Sequence, residues 1–428
     1  MTTERPHLHM GSQSRFPIGM RPNQAQFLHQ LIQVLLVGLT IGMMRNVVPA
    51  LAEPEFGVPR TSVLMLVSFV VAFGVVKGIL NFVAGRAAER FGRKRVLVAG
   101  WVVAIPIPAL IFWAPNWSWI VLATILLGIN QGLTWSMTQT SKLDLTHQNQ
   151  RGLVIGLNEF SGYLGVALAG ILTGYMAADF GPRIGLLWFG SIVILSALLL
   201  SVIAVRDTAP WVRLTAQPSA SNSLTTWAVF KRVSWTDRRL AAVCQAGLVE
   251  KFVDALVWIL WPIYLYDRGL PLPTIGWVVA AYGMTWGIAQ LLTGRLSDRI
   301  GRQPLNVWGM WLCGVGVLLF PHSDSTVGWS VSAVITGLGM AMLYPNLSAA
   351  IADLSDSAWR ASAIGIYRFW RDLGYAVGAL GLGLAAHMYG ASDAAYWFVG
   401  LSMMVSGFVL KHFGTESHPG LSRLREDC

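Results

Sequence analysis

The sequence has 428 residues, of which 54% are hydrophobic and only 12% charged, with 19 Trp, a mean hydropathy of +0.55 and a net charge of +10. Soluble domains carry about 25% charged residues, so these proportions require a solvent less polar than water and exclude disordered, coiled-coil, disulfide-rich and nucleic-acid-binding chains. In an integral membrane protein an excess of Lys and Arg collects on the cytoplasmic loops, which assigns the positive charge to orientation rather than to an anionic partner.

Residues 1–26 contain Arg5, Arg15 and Arg21 and no apolar run, so a cytoplasmic tail without a cleavable signal is expected. A crossing needs about 20 apolar residues. Such runs fall near 27–49, 62–84, 95–113, 118–141, 153–178, 184–205, 240–264, 273–294, 304–320, 327–350, 361–386 and 395–412. Of the 31 Lys and Arg, 23 lie in the tails, the even-numbered connections or the span ends that adjoin them, and three (Arg60, Arg183, Arg268) in the odd-numbered connections, which places both termini in the cytoplasm. The connection 206–239 is Pro/Ser-rich and then reads TTWAVFKRVSWTDRRL, whose Trp227, Phe230, Val233 and Trp235 alternate with cations as in an amphipathic helix lying on a membrane surface. Residues 413–428 form a second cytoplasmic tail. Cys244, Cys313 and Cys428 show no C-x-x-C or His-flanked spacing, so no disulfide, zinc or other metal site is assigned.

GRAAERFGRKR begins at Gly85 and GRLSDRIGRQP at Gly294, 209 residues apart. The same offset sets Asp144 on Asp353, Arg151 on Arg360, Gly156 on Gly365 and Phe160 on Phe369. A gap-free register over six spans means two copies of one six-helix unit, as in the internal repeats of secondary transporters. The expected fold is an all-α integral membrane protein of twelve transmembrane helices in two pseudo-symmetric six-helix bundles, 27–205 and 240–412.

With these elements in place the sequence resembles the major facilitator superfamily, whose signature is a G-x-L-A-D-R-x-G-R-K/R segment between the second and third spans, repeated between the eighth and ninth. The second copy has Gly294, Asp298, Arg299, Gly301 and Arg302; the first has Gly85, Arg90, Gly92, Arg93 and Lys94, with Glu89 where the family prefers Asp. In these segments Gly permits a sharp turn beside a helix end, and Arg93 and Arg302 are available to the acids. Asp144 with Arg151, and Asp353 with Arg360, supply further partners on the same side. The resemblance implies that these clusters form a cytoplasmic gate. No Walker loop, G-x-S-x-G or H-E-x-x-H is present, which argues against an enzyme or an ATP-driven pump.

Nine charged residues fall at membrane depth, away from the span ends: Arg45, Lys77, Glu159, Glu250, Lys251, Asp254, Arg368, Arg371 and Asp372. Each costs about 2.5–3.5 kcal/mol to insert, so such residues face protein or a water-filled cavity. Glu250 and Asp254 share one face of the seventh span, roughly 15 and 21 Å deep at the helical rise. The repeat sets Asp254 on Arg45 and Glu159 on Arg368, so opposite charges are expected to face one axis from the two halves. In YRFWRDLGY, Tyr375 follows Arg371 by one turn; on the fifth span Asn158 adjoins Glu159. Lys77 is placed to reach Glu159, and Lys251 to point toward a neighbouring helix.

These residues describe a solute and proton pathway. The expected function is a secondary transporter moving a small polar or ionic solute across a bacterial inner membrane, or an intracellular membrane derived from it. The protein is expected to be a monomer, with no cofactor and with the proton gradient as its energy source. GYLGVALAG and GMMRNVVP lack the G-P-x-x-G-G motif and the first-span acid of the family's drug–proton antiporters, which points away from multidrug efflux. The Arg residues suit an anion; the carboxylates suit a cation, and GLNEFSGYLG and YRFWRDLGYAVGAL are similar to permeases of magnetosome membranes, which makes iron the alternative cargo. A transport-incompetent sensor or scaffold is the second alternative.

Overall fold

The structure is a computed structural model that describes residues 17–59, 62–147, 151–211, 225–356, 359–389 and 393–417. It contains twelve long helices: α1 Gln24–Ala50, α2 Val63–Phe91, α3 Arg93–Phe112, α4 Trp117–Asp144, α5 Arg151–Phe180, α6 Pro182–Ile203, α7 Arg238–Asp267, α8 Leu272–Ile300, α9 Arg302–Leu319, α10 Thr326–Leu354, α11 Arg360–Tyr389 and α12 Asp393–Phe413. Ten of them are long and apolar enough to cross a membrane by composition alone. The other two, α7 and α11, each carry three charged residues near the middle, and a helix so charged survives at membrane depth only inside a protein. That is where α7 lies: every side chain from Val249 to Pro262 is buried. By contrast α6 presents Trp188, Ile192, Leu195 and Leu199, spaced three to four apart, as an exposed apolar stripe suited to lipid.

Two helix pairs form the long seams between the halves, α2 with α11 and α5 with α8, and the end of α1 also meets α7. Under the 209-residue offset α2 maps onto α8 and α5 onto α11, so the two seams are images of each other. They are tight at one end. A Cβ on Gly276 would lie 2.5 Å from the Gly170 carbonyl oxygen, and one on Gly74 2.5 Å from the Ala376 nitrogen. Nearer the other end a Cβ on Gly78 or Gly287 would have 3.4–3.5 Å, and at Gly85 and Gly294 it would meet nothing within 4 Å. The halves therefore splay toward the side that carries the linker.

Three features depart from the sequence-based expectation. The segment expected as a loop from residue 86 to 95 is helical up to Phe91, and only Gly92, with φ of 89°, makes the turn; Gly301, with φ of 99°, is its image. These two glycines require a left-handed backbone, whereas Gly85 and Gly294 sit inside helices. The first span is not continuous: α-helix stops at Gly42 and resumes at Val47–Ala50, leaving Arg45 in the break. Pro49 has no N–H and its ring excludes the carbonyl four residues earlier, so a regular helix cannot pass this point. The linker runs from 204 to 237, because α7 begins at Arg238, capped by Asp237, whose carboxylate accepts the Arg239 and Leu240 N–H groups. Within it a short helix, Thr226–Lys231, and a π-turn, Arg232–Thr236, pack Phe230 and Trp235 against Trp370 of α11.

Candidate functional site

The break in α1 puts the Arg45 guanidinium across the seam from α7. Arg45 Nη1 lies 3.1 Å from Asp254 Oδ1, and Nη2 donates to the Tyr375 hydroxyl at 3.1 Å. That hydroxyl donates to Asp254 Oδ2 at 2.8 Å, while Tyr282 donates to Oδ1 at 3.0 Å and Lys251 Nζ to Oδ2 at 2.5 Å. Asp254 is thus held by two cations and two phenols, enough donors to offset its removal from water. The freed Met44 carbonyl accepts the Trp258 indole N–H at 3.0 Å, closing the same layer.

A second group lies beside the first. Arg371 grips Glu250 with both ends of its fork, Nε to Oε2 at 3.2 Å and Nη2 to Oε1 at 3.0 Å, and stacks on the Tyr344 ring with 3.7 Å to its centroid. Lys251 Nζ is also 3.7 Å from Glu250, and 3.4 Å from the Tyr163 hydroxyl. Lys251 therefore belongs to the cluster rather than to a neighbouring helix, because α7 is enclosed on all sides. Lys77 pairs with Asp372 at 3.5 Å and not with Glu159. Asn81, one turn along α2, donates to the other Asp372 oxygen and is itself held by Ser136 at 2.9 Å.

Glu159 stands apart. Its Oε1 accepts the Trp135 indole N–H at 2.9 Å and the Asn158 amide at 2.9 Å, and among the described residues no cation pairs with it. Arg368, its image in the repeat, is half-buried and likewise has no hydrogen bond or ion pair among the described residues. Both line one cavity of about 20 Å³ with Arg45, Lys77, Tyr163 and Tyr344. That volume holds about one water.

The linker-side residues assemble differently from the expected gate. Arg93 pairs with Asp144 at 3.0 Å and Arg302 with Asp353 at 2.9 Å, each within its own half, and Arg360 donates to the Ser355 carbonyl. Glu89, Arg90 and Arg299 are exposed on the last turns of α2 and α8. The side chains of Arg151 and Asp298 lie outside the described residues. Sequence reasoning missed two acids here. The Arg93 N–H donates to Asp207 at 3.2 Å, and the Arg302 and Gln303 N–H groups donate to Glu416 at 3.0 and 3.2 Å, each carboxylate meeting the positive end of a helix. Asp207 and Glu416 are also 209 residues apart, the signal that would have found them. Lys142, expected in a loop, is fully buried on α4 with its ammonium on the Gln30 carbonyl at 3.1 Å. Among the described residues no three His, Cys, Asp or Glu side chains converge as metal ligands would.

Two bundles of one repeated design, joined at two equivalent seams around buried charge, define a membrane transporter fold. The family model described as Major Facilitator Superfamily matches residues 31–250 and again 243–427, and the chain belongs to that superfamily. It is 25% identical over 401 residues to a probable 4-methylmuconolactone transporter of Cupriavidus pinatubonensis (strain JMP 134 / LMG 1197), covering 89% of this chain and 86% of that protein. Its fold matches a D-xylose-proton symporter with a TM-score of 0.74 at 17% identity, over 92% of this chain and 98% of the other. A nucleoside transporter gives the same TM-score, 0.74, at 12% identity over 91% and 100%.

Proposed function

We propose that this protein is a secondary transporter that carries a small polar or ionic solute through the cavity between its halves by rocking one half against the other, drawing on the proton gradient. The observation that carries this reading is the splay of the halves about a buried charge cluster: tight seams on the far side, an opening on the linker side, and unpaired charge where they meet. In this state the linker side faces the cytoplasm of a bacterial membrane. The pairs Arg93–Asp144 and Arg302–Asp353 brace the end of each half, and closing that side brings the Glu89 and Asp298 segments toward the opposite half as a gate. The acids of the cluster are engaged by cations, which favours an organic solute over a metal ion.

The similarity to a probable 4-methylmuconolactone transporter directs the substrate screen toward small oxygen-rich acids. A thermal-shift screen of purified protein identifies ligands, since a solute that binds the folded state raises its apparent stability. Uptake of the hits by reconstituted vesicles is expected to fall when the proton gradient is collapsed. Undiminished uptake would remove the coupling, and binding without passage would make the protein a sensor on a transporter fold.

A further inference from the structure

Among the described residues, the pseudo-symmetric pair Glu159 and Arg368 is left outside the ion pairing, and it bears on the choice of solute. Three acids, Glu250, Asp254 and Asp372, are shared among four cations, Arg45, Lys77, Lys251 and Arg371. The paired cluster already carries one positive charge in excess. Arg368 adds another and is free to bind, with a planar fork that matches a carboxylate. Around Glu159 the titratable groups are Arg45, Lys77, Lys142, Arg368 and Arg371, with Asp372 the other acid; the phenols of Tyr163, Tyr344 and Tyr375 complete the polar wall, and α8 contributes no titratable group to the cavity. A surplus of positive charge disfavours an ammonium group. It also lets Glu159 remain buried with only the Trp135 and Asn158 hydrogen bonds and no paired cation among the described residues, since the surrounding cations offset its charge.

Resting on the reading of this cavity as the transport site, we propose that the solute is a small organic monocarboxylate received by Arg368, and that Glu159 carries the single proton that crosses with it. With the far side open, Glu159 Oε2 takes a proton from water and the solute carboxylate pairs with Arg368. The two negative charges then never coexist in the cavity. Once the linker side opens, the carboxylate leaves and the proton returns to water, so one anion and one proton cross and no net charge moves. A cavity of about 20 Å³ admits one carboxylate oxygen in place of its one water, and the remainder of the solute extends into the opening between the halves.

The test uses full-length protein in proteoliposomes, with lactonic, aliphatic and aromatic monocarboxylates, their neutral amides and a sugar as probes, and a trapped pH dye. Carboxylates should accumulate with one proton each and without response to an imposed membrane potential. Arg368→Gln should reduce carboxylate uptake about 100-fold, the scale of a lost charge-assisted fork. Arg368→Lys, which keeps the charge, should weaken apparent affinity about tenfold without changing the pH profile. Glu159→Gln should lose proton-driven accumulation yet keep carboxylate exchange across equilibrated membranes, a separation that a misfolded variant would not show. Uptake of amides or sugar in place of carboxylates would overturn the solute class and leave a transporter. Potential-driven carboxylate uptake, or accumulation by Glu159→Gln, would overturn the proton carrier. Passage of no probe, with no thermal stabilisation by any, would overturn the transport reading as well.

Discussion

Arg45 and Asp254 are 209 residues apart in sequence and 3.1 Å apart in space, and their environments predict unequal consequences for removing either one. Asp254→Asn takes away the acid that holds Arg45 and Lys251 together, leaving two cations at membrane depth with only Glu250, 3.7 Å from Lys251, to offset them. Breaking a buried pair from this side costs about 3–5 kcal/mol. Arg45→Gln leaves Asp254 still held by Lys251, Tyr282 and Tyr375, so its cost should be nearer the low end of about 1.5–3 kcal/mol, that of a lost charged hydrogen bond. In the double variant the Gln side chain places no charge against the Asn amide. The loss should be smaller than the sum of the singles by about 2 kcal/mol. Equilibrium unfolding of the four proteins in mixed micelles, followed by circular dichroism, measures all three quantities. Additive losses, or an Arg45→Gln cost equal to that of Asp254→Asn, would refute the account of Asp254 as the shared anchor.

Other outcomes follow from the linker side. Asp207→Asn and Glu416→Gln should each destabilise by about 1 kcal/mol, and additively, because each carboxylate caps a different half; strong coupling in the same unfolding assay would contradict two independent caps. At Asp237 burial alone would push the carboxyl up, but the hydrogen bonds from the Arg239 side chain and from the Arg239 and Leu240 N–H groups prevail and hold it below its usual 3.8. The stability a depressed carboxyl contributes is full above its unfolded value and is lost as pH falls on through the lower folded one, so the cost of Asp237→Ala, about 1 kcal/mol near neutrality, should shrink in acid; a cost independent of pH down to about 3 would rule out the ionised cap. For orientation, Ala220→Cys on a Cys-free background should label only from the cytoplasmic face in intact cells; labelling from outside would reverse the topology.

The repeat and the spans were legible because both are properties of spacing. Hydropathy fixes a helix of about 20 residues, and a shared offset needs no coordinates, so Arg45 opposite Asp254 could be read before any fold was known. What escaped depended on how closely helices approach. Lys142 lies at the end of an apolar run, where sequence assigns it to water, but α1 covers it and supplies the Gln30 carbonyl. Lys77 was expected to meet Glu159, yet close contact between α2 and α11 brings Asp372 nearer. Asp207 and Glu416 lie outside every span, and only the folded chain returns them to the start of α3 and α9.

The two charged helices also impose an order on synthesis. Neither α7 nor α11 is apolar enough to enter a membrane on composition alone, but the chain is made from its N-terminus. When α7 emerges, Arg45 is already in the bilayer to meet Asp254; when α11 emerges, Glu250 is waiting for Arg371, and Lys77 and Asn81 for Asp372. Each polar helix thus arrives after the partner that makes its insertion tolerable, and the later one also completes a seam between the halves. A chain released after residue 356 would hold α7 with Glu250 deprived of Arg371, and pulse-chase degradation of that fragment in cells should be faster than that of the whole protein.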